Sequence, residues 1–274
     1  MACLESLRAQ TFRDFEVILV DSSPTEETVN LVRKRFPEVR IERSTERLWP
    51  HAARNLGATR ARGKTLVFSD PDCIMSPLWL ERLISAGDGH PLAGGSVASL
   101  HKDWFSAGVH LCKYGWWLPG GVAGVRPELP SANVSYASEL FGRIGPFPEQ
   151  WCGDTLLSQR AAAAGAEPWF EPEAQVLHDQ RTTWRQFLEE RSQRGHDHGT
   201  VRPGYEGWSR ARSFAYVLAA PAIVAVMVIR AAKYAAASGH RMALARCLPV
   251  VALGYAAWAW GEAKAHWGAA WRPR

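Results

Sequence analysis

Between Phe15 and Gly87, short apolar runs alternate with stretches of helical character, and that alternation restricts the chain to a few architectures. "FEVILVDSS" passes through Asp21, "VRIERS" follows it, and "TLVFSD" ends at Asp70. Each has the length and the β-branched or aromatic content of a strand. After the first, Ser23-Pro24-Thr25-Glu26 has the order of an N-cap serine, a first-turn proline and a glutamate, leading into "EETVNLVRKRF". "HAARNLGATRARG" predicts a second helix closed by Gly63, and Ser76-Pro77 opens a third, "LWLERLISAG". Strand and helix in alternation predict an α/β fold, a mostly parallel sheet with helices on both faces. Ligands of such sheets bind beyond the carboxyl ends of the strands, where Asp21 and Asp70 both stand.

Residues 88–130 are rich in Gly, Pro and Trp and show no period, so a β-rich, loop-rich insert is expected there. "SANVSYASELFGRIGPF" then predicts a strand and a short helix, "GDTLLSQRAAAAG" a helix, "PEAQVLHD" a strand and "TWRQFLEERSQRG" a last polar helix. The expected division is a catalytic domain over 1–205, with a nucleotide half about 1–87 and an acceptor half about 88–205, followed by a tail over 206–274.

The tail differs in charge. From Ser209 on, nine Lys or Arg stand against one acid, Glu262, whereas the preceding residues hold more acids than bases. Such a basic, apolar, Trp-containing segment suits an anionic membrane surface, and nucleic acid is not expected as a partner. Ser213–Ile229 is uncharged but contains Pro221, and Met242–Gly261 is interrupted by Arg246 and Pro249. Both are marginal against the ~20 apolar residues of a spanning helix. A hairpin lying in or dipping into the cytoplasmic leaflet is expected, with a two-span hairpin and two helices packed on the body as alternatives. The five scattered cysteines indicate neither a disulfide framework nor a zinc site, and MACLESLRAQ has no signal-peptide pattern. A cytoplasmic location for the catalytic body follows as an expectation.

Asp70-Pro71-Asp72 places two acids in one turn at the end of an apolar strand. Such a pair suits a hard cation, Mg²⁺ or Mn²⁺, that completes its shell with water and substrate phosphates. A solvated turn has the same pattern, so context decides. The pieces "CLESLRAQTFRDFEVILVDSSPTEET", "ARNLGATRARGKTLVFSDPDC", "SANVSYASELFGRIGPFPEQWCGDTLLSQRAAAAG" and "AQVLHD" follow one another over about residues 2–180. In that order they resemble family 2 glycosyltransferases of the GT-A fold.

The resemblance implies a role for each matched position. Asp21 would hold the nucleotide base or its ribose, Arg54 the nucleotide or its phosphates, and Asp70 a ribose hydroxyl. Asp72 would bind a divalent metal, Mn²⁺ or Mg²⁺, that bridges the diphosphate, with His178 a further metal or diphosphate contact. Asp154 would be the general base that takes the acceptor's proton, although a helix N-cap is the bland alternative for it. The family usually has Glu before that aspartate; Gly153 stands here. Members also begin with a strand and a Pro-Thr-rich loop, and this chain starts inside the helix after them. The expectation is a bacterial form lacking that strand and part of the nucleotide cradle.

Two other features are weighed. Gly195-His196-Asp197-His198-Gly199 is expected to be a solvated turn rather than a metal site, and Trp116-Trp117 to pack rather than stack on an acceptor sugar. The expected function is transfer of a sugar from a nucleotide-diphosphate donor to a lipid-linked or envelope saccharide, inverting and metal-dependent. The place of work is the cytoplasmic face of the bacterial inner membrane. A catalytically degenerate subunit that binds a nucleotide sugar or a partner enzyme is the alternative, and a nucleotidyltransferase a third.

Overall fold

The computed structural model describes residues 1–150 and 152–271. The chain divides into two units, Met1–Val97 with Ala123–Leu177, and Ala98–Val122 with the chain from His178 onward.

In the first unit, β1 (Ile18–Asp21) pairs in parallel with β2 (Arg40–Arg43) as a two-stranded sheet. The intervening α2 (Glu27–Arg35) buries Val32, which packs with Phe36 and Val39 against Val17, Leu19 and Ile41. Ser23 does not cap α2. Its hydroxyl lies 2.8 and 3.0 Å from the Asp21 carboxylate oxygens and 3.0 Å from the Thr25 carbonyl, which holds it in the loop before the helix.

The second sheet has six strands. Its path runs β3 (Thr65–Ser69), β7 (Asn133–Ala137), β5 (Leu92–Ser99), β8 (Trp169–His178), β4 (Cys73–Met75), with β6 (Gly124–Val125) on β8. β7 runs antiparallel to β3 and to β5, and β6 antiparallel to β8. The α/β class holds, and the second sheet takes in antiparallel strands as well. Alternation over residues 15–87 informs only on nearby strands. β7 enters later in the chain and lies between β3 and β5, running against both.

One side chain ties this sheet together. Asn133, fully buried, donates to the carbonyls of Ser96 and Ala174 at 2.9 and 2.8 Å. Its own carbonyl accepts from the Trp79 indole at 2.8 Å, at the start of α4 (Trp79–Gly87). β7, β5, β8 and α4 are thus joined at one amide. Asn133→Ala strands three buried polar groups and is expected to cost at least about 3 kcal/mol, read as a lower urea midpoint for the first unit. Gln10 does similar work after α1 (Ala2–Arg8). It is fully buried, donates to the Ser6 and Ser76 carbonyls, and accepts from the Leu80 amide.

The second unit is helical: α5 (Trp104–Tyr114), α8 (Trp184–Glu206), α9 (Arg210–Leu218), α10 (Ala220–Ala237) and α11 (Arg241–Trp271). Val109, Leu111 and Cys112 of α5 share one core with Phe187 of α8 and Val250, Val251 and Tyr255 of α11. Between β5 and β6, where a β-rich insert is expected, α5 forms instead. Asp103 caps it by accepting from the Ser106 amide, and the core of its partner helices orders it. α8 starts from a capping box between Thr183 and Gln186 and continues through Gly195–Gly199. That segment is helix, not the expected turn, because its glycines face α11. Trp117 is buried and Trp116 lies 5.9 Å from the Tyr234 ring, so the pair packs as expected. Two helices, Ala220–Ala237 and Arg241–Gly268, are long and apolar enough to cross a membrane; 11% and 39% of their apolar windows are buried.

Candidate active site

The end of β3 carries the chemistry. Leu66 and Phe68 alternate inward, which fixes the register against β7 at Ser69 opposite Asn133 and delivers Asp70 just beyond the last pair. Asp70 and Pro71 turn the chain into β4, with the Cys73 amide donating to the Asp70 carbonyl at 3.0 Å. Asp72 is exposed on this turn, while Asp70 is half-buried.

Asp70 has a definite partner. α3 (Pro50–Arg60) presents Arg54, whose Nη2 donates to the Asp70 carboxylate. The arginine is well buried, and its Nε has no hydrogen-bond partner among the described residues. Its Nη1 reaches His51 Nδ1 at 3.2 Å. The next residue, Asn55, clamps the loop before α7 (Gly153–Ala163): its amide donates to the Phe147 carbonyl and its carbonyl accepts from the Phe147 amide, both at 2.9 Å. Arg54 and Asn55 therefore point one way to the end of β3 and the other to the approach of α7. Neither His51 nor Asn55 stands out in the sequence. An arginine and an asparagine side by side in a half-buried helix are the only signal for the second.

Asp154 lies in the first turn of α7, half-buried, its Oδ1 accepting from the Thr155 amide at 3.0 Å. A carboxylate in the first turn of a helix lies where the helix dipole favours negative charge. Beside it the Tyr136 hydroxyl is pushed well above its ordinary value, first by burial and then by the Asp154 charge. Trp151, in the expected "WCGD" motif, lies outside the described residues.

The thiols near the turn are inert. Burial, opposed by the N-terminal charge and reinforced by Asp72 and Asp70, pushes Cys3 up to about 11, and burial with Asp70 and Asp72 raises Cys73 further. Asp21 ends β1, buried and bonded by Ser23. His178 is the last residue of β8, the strand beside β4; it is buried, and in the second unit its ring meets Tyr114 at 5.4 Å. The exposed Asp72 carboxylate offers the oxygen ligand that a hard divalent cation such as Mn²⁺ or Mg²⁺ takes. Of the expected residues, hydrogen bonds join Arg54 to Asp70 directly and Asp21 to its own loop.

Comparison with known proteins gives the arrangement a context. Residues 2–122 match the model of glycosyl transferase family 2. Glycosyltransferase AglE of Haloferax volcanii is 27% identical over 172 residues, 60% of this chain and 57% of that protein. Among solved structures, the mannosyltransferase PcManGT from Pyrobaculum calidifontis, in complex with GDP-Man and Mn²⁺, superposes with a TM-score of 0.62 at 19% identity. The match covers 94% of this chain and 80% of that one. GalNAc-T7 with UDP, GalNAc and Mn²⁺ superposes with a TM-score of 0.54 at 15% identity, over 75% and 48% of the two chains. This chain thus spans little more than half the length of AglE and about half that of GalNAc-T7. The fold they share with it is of the GT-A type.

Proposed function

We propose that this chain, whose residues 2–122 match the family 2 glycosyltransferase model and whose fold is of the GT-A type, is a glycosyltransferase that moves a sugar from a nucleotide-diphosphate donor to a saccharide hydroxyl. The observation that carries this reading is the Arg54–Asp70 ion pair at the end of β3, one turn from the exposed carboxylate of Asp72. A strand end with a charge-fixed acid next to an exposed one is a place to hold a ribose and a diphosphate side by side.

Asp21, Arg54 and Asp70 bind and orient the nucleotide part of the donor, and Asp72 with His178 would hold the divalent metal. When bound, the metal supplies counter-charge to the departing diphosphate. Asp154 accepts the proton of the acceptor hydroxyl as its oxygen bonds to the anomeric carbon and the bond from that carbon to the diphosphate oxygen breaks. A single displacement inverts the anomeric configuration. Replacing Asp154 by Asn keeps size and helix position and removes only the base, so kcat is expected to fall by about 10²–10⁴ with donor binding retained. Steady-state kinetics beside donor titration check this.

The acceptor follows from the tail. Glu262, the one acid after Ser209, is 1% exposed, so the exposed tail among the described residues carries only basic charge. Val226 and Ile229 of α10 stand outward with Arg230 and Lys233 nearby in sequence, a combination suited to an anionic bilayer surface. A lipid-linked or envelope saccharide at the cytoplasmic face of a bacterial inner membrane is the acceptor class this favours.

The direct test is release of nucleoside diphosphate from a panel of UDP-, GDP- and dTDP-sugars, with Mn²⁺ or Mg²⁺ and with chelator. Metal-dependent release from at least one donor is expected. Silence with every donor, with and without added glycolipid acceptors, would leave the degenerate-subunit reading in its place.

A further inference from the structure

His51 lies in the first turn of α3, with 9% of its surface exposed, and its ring stacks on Phe147 with centroids 5.1 Å apart and planes 8° from parallel. Phe147 in turn meets Phe68, the β3 residue two before Asp70, edge-on at 5.1 Å. The imidazole is therefore fixed in its plane by the same aromatic cluster that anchors the end of β3.

Two of its edges have different neighbours. Nδ1 faces Arg54 Nη1 at 3.2 Å. Guanidinium nitrogens only donate, so this bond requires a bare Nδ1 and puts the ring proton on Nε2. The opposite edge faces the start of α7. A Cβ at position 153 would lie 2.7 and 2.9 Å from His51 Cδ2 and Nε2, and 2.2 Å from the Pro148 carbonyl oxygen. The space a side chain at 153 needs is held by the imidazole and by backbone.

Arg54, meanwhile, is short of constraints. With Nε lacking a hydrogen-bond partner among the described residues, its hydrogen bonds run from Nη1 to His51 and from Nη2 to Asp70. A long side chain held only at Asp70 would keep the freedom to rotate about that contact.

We propose that His51 is a positioning residue of the donor site: its Nδ1 lone pair turns Arg54 onto Asp70, and Gly153 leaves the room in which its ring is held. This rests on the transferase reading above, in which Arg54 and Asp70 bind the donor. It also gives the glycine next to the base a reason, since any side chain there displaces the ring that orients Arg54.

Two variants of the full chain test it. Leucine at 51 keeps an apolar side chain against Phe147 and removes the acceptor, whereas glutamine offers a carbonyl to Arg54. His51→Leu is expected to raise the donor KM by at least about tenfold with kcat little changed, and His51→Gln to recover most of that loss. Unchanged KM in His51→Leu overturns the proposal. Equal loss in both variants, following their thermal midpoints, makes His51 merely structural and overturns it too. A readout independent of turnover is the long-range ¹H–¹⁵N spectrum of the imidazole, expected to show Nε2 protonated and Nδ1 bare; an Nδ1–H pattern overturns the proposal. Should the wild-type chain hydrolyse no donor, the transferase reading fails while this spectrum still decides the tautomer on which the positioning depends.

Discussion

Replacing Asp72 by Ala is expected to abolish metal-dependent release of nucleoside diphosphate, by at least about a thousandfold, or ~4 kcal/mol of transition-state stabilisation. The reason is electrostatic. In the proposed transfer the departing diphosphate would bring negative charge toward the end of β3, where the acids Asp70 and Asp72 would oppose it. Arg54 is already paired with Asp70, so on the proposed reading a cation held by Asp72 would supply the remaining counter-charge. The fold should not suffer, because Asp72 is exposed on a turn and such substitutions usually fall within ~0.5 kcal/mol. Asp70→Ala makes the useful contrast. It leaves the well-buried Arg54 guanidinium without its carboxylate, and so should lower both activity and the unfolding midpoint. A Mn²⁺ titration of donor hydrolysis with paired urea melts separates the two. Mn²⁺-dependent turnover persisting in Asp72→Ala at wild-type rates would overturn its assignment as the metal ligand.

The second large effect lies in the helical unit. Gly261→Ala ought to stabilise α11 by up to ~1 kcal/mol if helix propensity decided. Packing decides otherwise. A Cβ at 261 would sit 1.9 Å from the Ser192 carbonyl oxygen of α8, and one at Gly195 would sit 2.1 Å from the Trp258 carbonyl oxygen of α11. The two backbones touch at both points, and neither contact is the far end of a side chain that can swing away. Accommodating the methyl group forces the helices apart and pulls on Glu262. That carboxylate is bonded to His198 at 3.1 Å and to Arg202 and Tyr216 at 3.2 Å. A buried carboxylate losing such partners costs about 3–5 kcal/mol, several times the propensity gain. The expected result is a markedly lower unfolding midpoint of the helical unit, with faster proteolysis in the tail. Unchanged resistance to protease would mean that α8 and α11 do not cross as closely as described.

The "GHDHG" segment shows why this crossing is hard to find by reading. Two histidines between two glycines look like a turn as long as each residue is judged by its own tendency to form helix. They become helix because Gly195 and Gly199 meet α11, some 60 residues later in the chain, and because His198 finds Glu262. Likewise the insert around Trp104–Tyr114 has no period of its own, since α5 buries residues around much of its circumference against α8 and α11. Propensity and period register only what a residue does with its neighbours along the chain.

The local facts, by contrast, were legible. An apolar run ending in an acid is a strand that delivers that acid to a sheet edge, and Asp21 and Asp70 stand at the ends of β1 and β3 for that reason. Asp154 falls in the first turn of α7 because a helical stretch opens there. The order of these pieces pointed to the family 2 region and the GT-A-type fold. Tertiary structure alone decided that β7 runs against β3 and β5, that Arg54 spends its guanidinium on Asp70 and His51, and that Gly153 makes way for an imidazole. Each of these depends on pairing between residues brought together by burial, a free energy summed over the whole fold. The chain spells out which side chains reach the end of a strand; only packing chooses what they meet there.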